Sequence, residues 1–310
     1  MSKAAPLPAH LEARGFLVSE AYAAGVPRWR LESTGLLTPS RGLRLAKGTQ
    51  PDLELLARLH TGVTQRCAVS HVTSALLWPL PLPLSVQAAA TELGLIHITR
   101  RAEIGRIKRR GVVGHRAPLL ARDVRTVNGY SLTSPEWTWV DLAGMLGRDA
   151  LVAAGDAMLS RTAPLSSVKA IQEVVNRRPK VKGIRLAREV LPLLRHGVDS
   201  PQESRLRMKI LDAGLPEPAV TQPIHDEGGH YVSTPDLQYK EYRIALEYEG
   251  EHHRTDAIQW GRDIERDDRL RGIGWTVLRF SKLQLGRGWP ASELKLRRAL
   301  AERGWRGPAS

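Results

Sequence analysis

The chain has 310 residues, 42% apolar and 25% charged, with 46 Lys+Arg against 32 Asp+Glu and a formal net charge of +14. That length allows two or three domains with real cores, and a single cysteine, Cys67, excludes an internal disulfide and a cysteine-built zinc centre. The longest apolar stretch, ALLWPLPLPLSV, is cut by Pro79, Pro81 and Pro83, too densely for a membrane helix of about 20 residues, and no apolar signal core follows Lys3.

The expected location is therefore the cytoplasm, with no membrane partner. The charge is unevenly spread: residues 201–310 hold 18 Lys+Arg and 17 Asp+Glu, which leaves 28 and 15 for residues 1–200. A basic excess drives association with polyanions by counterion release. An arginine-heavy, GC-rich genome would give the same total, but it does not account for a near-neutral last third.

Residues 15–48 read as two short helices and a hairpin. In VSEAYAAGV, Ser19 is placed as N-cap before Glu20 and Gly25 as the stop; Pro27 suits the first turn of a second helix, PRWRLESTG, ended by Gly35. The following GLLTPSRGLRLAKG has Pro39, Ser40 and Gly42 between leucine-bearing arms. Helix, turn, helix and basic hairpin outline a winged helix-turn-helix, whose second helix enters the DNA major groove. Arg28 and Arg30 would lie near that helix's start, and Arg41 and Arg44 on the wing.

Residues 51–165 read as an α/β region. PDLELLARLHTGV and SHVTSALLW have helical spacing, while GLIHITR and RRGVVGHR read as strands flanking a basic connection from Arg100 to Arg110. SPEWTWVDLAGML begins a helix with Ser134 as cap and Pro135 in the first turn, and helices over 148–160 and 165–176 continue it. A basic helical connector fills 166–199, and a boundary falls near HGVDSP. Cys67 and His71, four residues apart on an expected helix, suit packing better than a nucleophile pair, since no third orienting residue is apparent.

Residues 200–310 change character. An amphipathic helix capped at Ser200 and stopped at Gly214 precedes strands PAVTQPIHD, YVSTPDLQY and RIALEYEG, then a charged helix, the strand WTVLRF and a closing helix from Ala291. The fold class is thus mixed α+β. In RIALEYEG, alternation puts Glu247 and Glu249 on one face. If Lys240 and Glu241 form a two-residue loop, Asp236 lies opposite Ala245 with Glu247 as its diagonal neighbour at about 7–8 Å, and a one-residue slip would separate them. Two such carboxylates can share a Mg²⁺ (or Mn²⁺), Mg²⁺ taking oxygen ligands at about 2.0–2.1 Å. Such a metal polarises a phosphodiester and generates hydroxide. Asp236, Glu247 and Glu249 form the expected metal set; Glu203 would add an outer ligand and His253 would orient a phosphate or move a proton. Solvated edge charges are the bland alternative for these acids.

The order of parts in TPDLQYKEYRIALEYEGEHHRTDAIQWGRDIERDDRLRGIGWTVLRF resembles the very-short-patch-repair (Vsr-like) endonuclease domains of the PD-(D/E)xK superfamily, over about residues 200–305. The resemblance implies a restriction-endonuclease-like sheet-and-helix domain, with Pro235-Asp236 as the PD element and Glu247 as the acid of its second half. Glu249 stands where the general motif has lysine, so the cation is unassigned; Arg262 and Arg266 are candidates for it, against ion pairing with Asp263, Glu265 or Asp267 along the helix, which is the favoured role for Arg262. Residues 10–160, with GFLVSEAYAAGVPRWRLESTGLLTPSRGLRLAKG, AVSHVTSALLWPLPLP and TSPEWTWVDLAG, are similar to AbiEi-type antitoxins of type IV toxin–antitoxin systems, which implies a winged helix on operator DNA followed by an α/β domain. The expected function is that of a DNA-binding protein with a Mg²⁺-dependent endodeoxyribonuclease domain. The alternative is a non-catalytic regulator or antitoxin with a degenerate nuclease fold. Double-stranded DNA is the expected partner, with a homodimer and a toxin-like partner left open.

Overall fold

The computed structural model describes residues 7–12, 15–92, 94–250 and 257–307, without the side chains of 12, 91–92 and 257–264. It is a mixed α+β structure with several sheets. The chain gathers into two compact units, residues 1–145 with 170–184, and residues 146–169 with 185–310. The stretch 166–199 divides between them: Val168–Arg177 lies largely in the first and Ile184–Val190 in the second.

The first unit begins with a small antiparallel sheet of Phe16–Leu17, Leu43–Ala46 and Leu36–Leu37, the middle strand being Leu43–Ala46. Phe16–Leu17 runs straight into helix Val18–Ala23, which moves the N-cap from the expected Ser19 to Leu17, whose N–H donates to Glu20 Oε2 at 2.9 Å. Gly25 ends that helix at φ +76°, a left-handed conformation that costs glycine little. A second helix, Arg28–Leu31, follows Pro27, and Leu31 joins Phe16, Ala21 and Val26 in a small core.

The same unit holds a five-stranded mixed sheet, ordered Val112–Ala117, Ile96–Arg101, Cys67–Val69, Tyr130–Thr133, Val124–Val127. The two strands read around the basic connection pair with each other in parallel, His97 against Val113 and Thr99 against His115. Helix Pro135–Leu142 starts as expected: Ser134 Oγ accepts from the Trp137 N–H at 3.3 Å. Trp137 and Trp139 are buried, and the Arg178 guanidinium lies 3.8 Å above the Trp137 ring while donating to Asp141 Oδ1 at 2.7 Å.

In the second unit, strands are shorter than the apolar runs suggest. PAVTQPIHD divides into Ala219–Val220 and Ile224–His225, and YVSTPDLQY into Tyr231–Ser233 and Leu237–Tyr239. Pro223 and Pro235 interrupt these runs, and proline has no N–H for the ladder. Ile224–His225 pairs with Tyr231–Ser233, while the main sheet runs Thr276–Ser281, Ile244–Glu249, Leu237–Tyr239, Ala219–Val220. One face of this sheet, with Leu237, Leu246, Leu278 and Phe280, packs against residues of helices Pro201–Asp212 and Trp289–Glu302. Ala245, with Val277 packed against it, belongs to a separate cluster with Leu270 of helix Ala257–Gly272.

The expected two-residue loop at Lys240-Glu241 is corrected to four residues, 240–243, because Tyr239 and Ile244 are both buried and pair with each other. Arg243 closes the turn at φ +49°, its N–H donating to Lys240 O at 3.2 Å. Gln238, not Asp236, therefore faces Ala245, and continuing the ladder by one residue puts Asp236 in line with Glu247 instead of diagonal to it. The displacement is two positions, so the two carboxylates keep a common face.

Helix Pro201–Asp212 begins with Ser200 Oγ accepting from the Glu203 N–H at 3.2 Å, and it is fixed by a buried ion pair. Arg207 and Asp156 of helix Arg148–Met158 are almost inaccessible, with Arg207 Nη2 at 2.8 Å from Asp156 Oδ2. Asp156 is otherwise satisfied by the Ser204 hydroxyl at 2.8 Å and the Arg195 N–H at 2.7 Å. Removing one partner of such a pair leaves an uncompensated buried charge. Arg207→Met is expected to cost about 3–5 kcal/mol in urea unfolding; a loss below about 1 kcal/mol would show that the carboxylate is not held by this pair.

Candidate functional site

Parallel pairing of Ile244–Glu249 with Thr276–Ser281 sets Glu247 beside Arg279 and Ala245 beside Val277. Asp236, Glu247 and Arg279 consequently form a row across adjoining strands, on the face where Ala245 meets the cluster containing Leu270. The Tyr248 N–H donates to Asp236 Oδ2 at 2.6 Å, which holds the aspartate against the Glu247 strand although Asp236 lies one residue outside its own. The Asp236 carbonyl accepts from the Thr221 N–H at 2.9 Å.

Glu203 comes to the same place from the first turn of helix Pro201–Asp212. One of its oxygens, Oε2, accepts from the Asp199 N–H at 3.0 Å, and the side chain is buried. Burial, with the Asp236 carboxylate adding to it, pushes Glu203 up to about 7; the same two causes push Glu247 up to about 7 against the opposing pull of Arg266 and Arg279. Asp236 thus stands within electrostatic reach of both glutamates. Glu247 Oε1 is buried, accepts no hydrogen bond among the described residues, and lies 3.7 Å from Arg266 Nη2.

Glu249 is differently placed. It is exposed and accepts from Arg279 Nη1 at 2.8 Å. Arg279 also donates through Nη2 to buried Asp267 at 2.8 Å, so this guanidinium links Glu249 to helix Ala257–Gly272. Among the described residues, no three of the carboxylates Glu203, Asp236, Glu247 and Glu249 bring one ligand oxygen each within 4.8 Å of one another. Burial and the neighbouring Asp236 charge thus favour the protonated forms of Glu203 and Glu247, with which a dication drawn to them would compete. His253 lies outside the described residues, as does the side chain of Arg262.

The sequence points to Asp267 only as an ion-pair partner along its own helix and does not single out Arg279. The signal available was the alternation in WTVLRF, where Arg279 is the polar residue on the Val277 face.

At the other end of the chain, Arg28 is exposed on helix Arg28–Leu31 and paired with Glu32 at 2.9 Å, beside Trp29, which is 58% exposed. Arg30 Nη1 donates to Ser33 Oγ at 2.7 Å. Arg41 is exposed in the hairpin turn, with its carbonyl accepting from Arg109. Arg44 is committed within the fold: its Nε donates to Leu31 O at 2.7 Å and its Nη1 to Leu43 O at 2.9 Å, tying the hairpin to the second helix. Cys67 is buried, its thiol pushed up to about 12 by that burial, which fits packing and not nucleophilic chemistry. No helix among the described residues is long and apolar enough to cross a membrane.

Residues 85–193 match the family model described as the AbiEi antitoxin C-terminal domain. The antitoxin resemblance read over residues 10–160 is supported there, and it extends past 160 into the segment read as a connector. Two uncharacterized proteins of Mycobacterium tuberculosis, from strains CDC 1551 / Oshkosh and ATCC 25618 / H37Rv, are each 34% identical over 157 residues, 50% of this chain and 56% of theirs. The chain spans about half the length of the curated relatives it matches. The matched family segment ends before the carboxylate row.

The raised Glu247 has a stability consequence whose sign is fixed. Its folded pKa lies above the unfolded value near 4.5, so the folded state holds the proton more tightly and loses stability as pH rises from about 4.5 to 7. In buffer with chelator, Glu247→Gln is expected to match the parent protein at pH 4.5 and to be more stable at pH 8, by up to about 3 kcal/mol at about 1.4 kcal/mol per pKa unit. Equal unfolding midpoints at pH 8 would show that Glu247 ionises without penalty.

Proposed function

We propose that the protein is a DNA-binding regulator of the antitoxin kind, in which the short helices and hairpin of residues 16–46 act as a winged helix-turn-helix on duplex DNA. The match of residues 85–193 to an antitoxin domain carries this reading. It is supported by the basic excess in residues 1–200 and by exposed Arg28, Trp29 and Arg41 on the helix and hairpin that a groove-binding module would present. Arg44 serves in this reading to hold the wing against the recognition helix, not to reach phosphate. A toxin-like protein and a second copy of the chain are the partners such a role would bring.

The DNA reading is tested by fluorescence anisotropy on duplexes from the region upstream of the protein's own coding sequence and on scrambled duplexes. Preferential binding to the former, with Arg28→Ala and Arg41→Ala each lowering the slope of log K against log salt by about 0.9, is the expected result. Equal affinity for both duplexes, or unchanged slopes in the variants, would remove the regulator reading.

A second reading is Mg²⁺-dependent phosphodiester hydrolysis by the carboxylate row, and a specific observation favours it: half-buried Asp236 lies in register with buried Glu247 and acts electrostatically on both Glu247 and buried Glu203. In that reading Asp236 and Glu247 hold the metal, Glu203 acts from outside, and Arg279 supplies the cation that the motif otherwise takes from lysine. Glu249, held by Arg279, steadies that cation. Nicking of supercoiled plasmid with Mg²⁺ or Mn²⁺, rising in rate through pH 7 and lost in Asp236→Ala, is the outcome this reading requires. Intact plasmid at every pH and with both metals leaves the row as a structural element.

A further inference from the structure

Three imidazoles meet in the first unit, far along the sequence from the carboxylate row. His71 opens helix His71–Leu77, His97 lies in strand Ile96–Arg101, and His115 lies in strand Val112–Ala117. Parallel pairing sets His115 beside Thr99, two residues from His97, so the two strand histidines project from one face. One ring nitrogen from each of the three lies within 4.8 Å of the others, and His97 Nδ1 is 3.0 Å from His115 Nε2. Two imidazoles on one tetrahedral zinc ion, at Zn–N distances of about 2.0–2.1 Å, have nitrogens about 3.3 Å apart. The strand pair is therefore near the spacing that a shared ion imposes.

His71 is held in place by its backbone and by its neighbours. Its φ of +53° lies in the left-handed region, uncommon for a residue with a Cβ, and Nδ1 is 2.9 Å from Ser70 Oγ and 3.3 Å from Asp141 Oδ2. The Asp141 side chain is 1% exposed; its Oδ1 is paired with Arg178, and its Oδ2 is turned to His71. A carboxylate beside a histidine is the usual outer partner of a metal-bound imidazole. The group lines a cavity of about 410 Å³ whose wall also includes Arg116 and Lys182. The His71 and His115 rings are stacked, with centroids 3.7 Å apart at 16°. An ion bound in the plane of both rings requires that stack to open.

We propose that His71, His97 and His115 form a site for a divalent first-row transition metal of the zinc class, with Asp141 orienting His71 and supplying negative charge, and with the open coordination position facing the cavity. Three neutral nitrogen donors suit zinc far better than Mg²⁺, which prefers oxygen. Arg116 and Lys182 give the open position a cationic rim, suited to an anionic fourth ligand.

The test uses the full chain, stripped with chelator, loaded with Zn²⁺ and dialysed. Expected are one equivalent of zinc by mass spectrometry, a visible ligand-field band with Co²⁺, and a raised melting temperature with Zn²⁺. His97→Ala and His115→Phe should each weaken binding, measured by competition with a chromophoric chelator, by about 100-fold or more; Asp141→Asn should weaken it by about 10–100-fold. His115→Phe keeps a ring to stack on His71 while removing the donor, and melting in chelator identifies any variant that has lost its fold. Asp236→Ala should bind zinc as the parent does, which separates this site from the carboxylate row. Sub-stoichiometric zinc in the parent, undiminished affinity in the folded histidine variants, or loss of zinc in Asp236→Ala overturns the proposal.

Discussion

The buried contact of Arg207 with Asp156 anchors the second unit. It fastens helix Pro201–Asp212 to helix Arg148–Met158, and the same Asp156 carboxylate collects the Ser204 hydroxyl and the Arg195 N–H. A bare carboxylate there would be prohibitively desolvated, so this helix has little freedom to slide or rotate. Glu203 lies four residues before Arg207, hence on the same helical face. Its approach to Asp236 is in that sense set from the opposite end of the helix turn. The sheet contributes the rest, since Asp236, Glu247 and Arg279 are lined up by strand register alone.

The two units gather charge in contrasting ways. Around the carboxylate row, burial and the neighbouring Asp236 charge raise Glu203 and Glu247, while Arg266 and Arg279 oppose that rise at Glu247. In the histidine group, burial favours neutral rings and the compensating ion is a lone aspartate already shared with Arg178. At the first, a cation competes with protons for the carboxylates; the second offers neutral nitrogen donors, with Arg178, Arg116 and Lys182 setting positive charge around them. This difference in chemistry, oxygen donors against nitrogen donors, separates the metals each could hold.

Much of the fold was legible from the sequence because it is written in local signals. Ser134 and Ser200 cap their helices as read, Gly25 stops its helix, and the basic hairpin turns at Gly42. Alternation in RIALEYEG shows which of its own residues point together, but not which face meets Asp236; the two acids share a face because the loop differs from the expected one by an even number of residues. The loop length was not legible: whether Tyr239 and Ile244 belong to strands depends on the core they enter, which local sequence does not reveal. Ser19 lost its cap role for a similar reason, the strand Phe16–Leu17 feeding directly into the helix. Arg279 and the histidine group escaped because their partners are distant: Arg279 meets Glu249 across 30 positions, and His71 meets His115 across 44. Arg44, read as a wing residue for DNA, illustrates the converse, a basic side chain whose nearest demand is the protein's own carbonyl groups.

The four-residue turn at 240–243 has a consequence for how this hairpin can vary. Insertions or deletions that lengthen or shorten it in pairs leave the acids facing the same way, at worst sliding Asp236 to a diagonal position. Loss or gain of a single residue that shifts the pairing would instead send Glu247 among Leu278 and Phe280 and carry Leu246 to the polar side. Length variation at this turn should therefore be sampled among relatives in steps of two wherever the acids are kept.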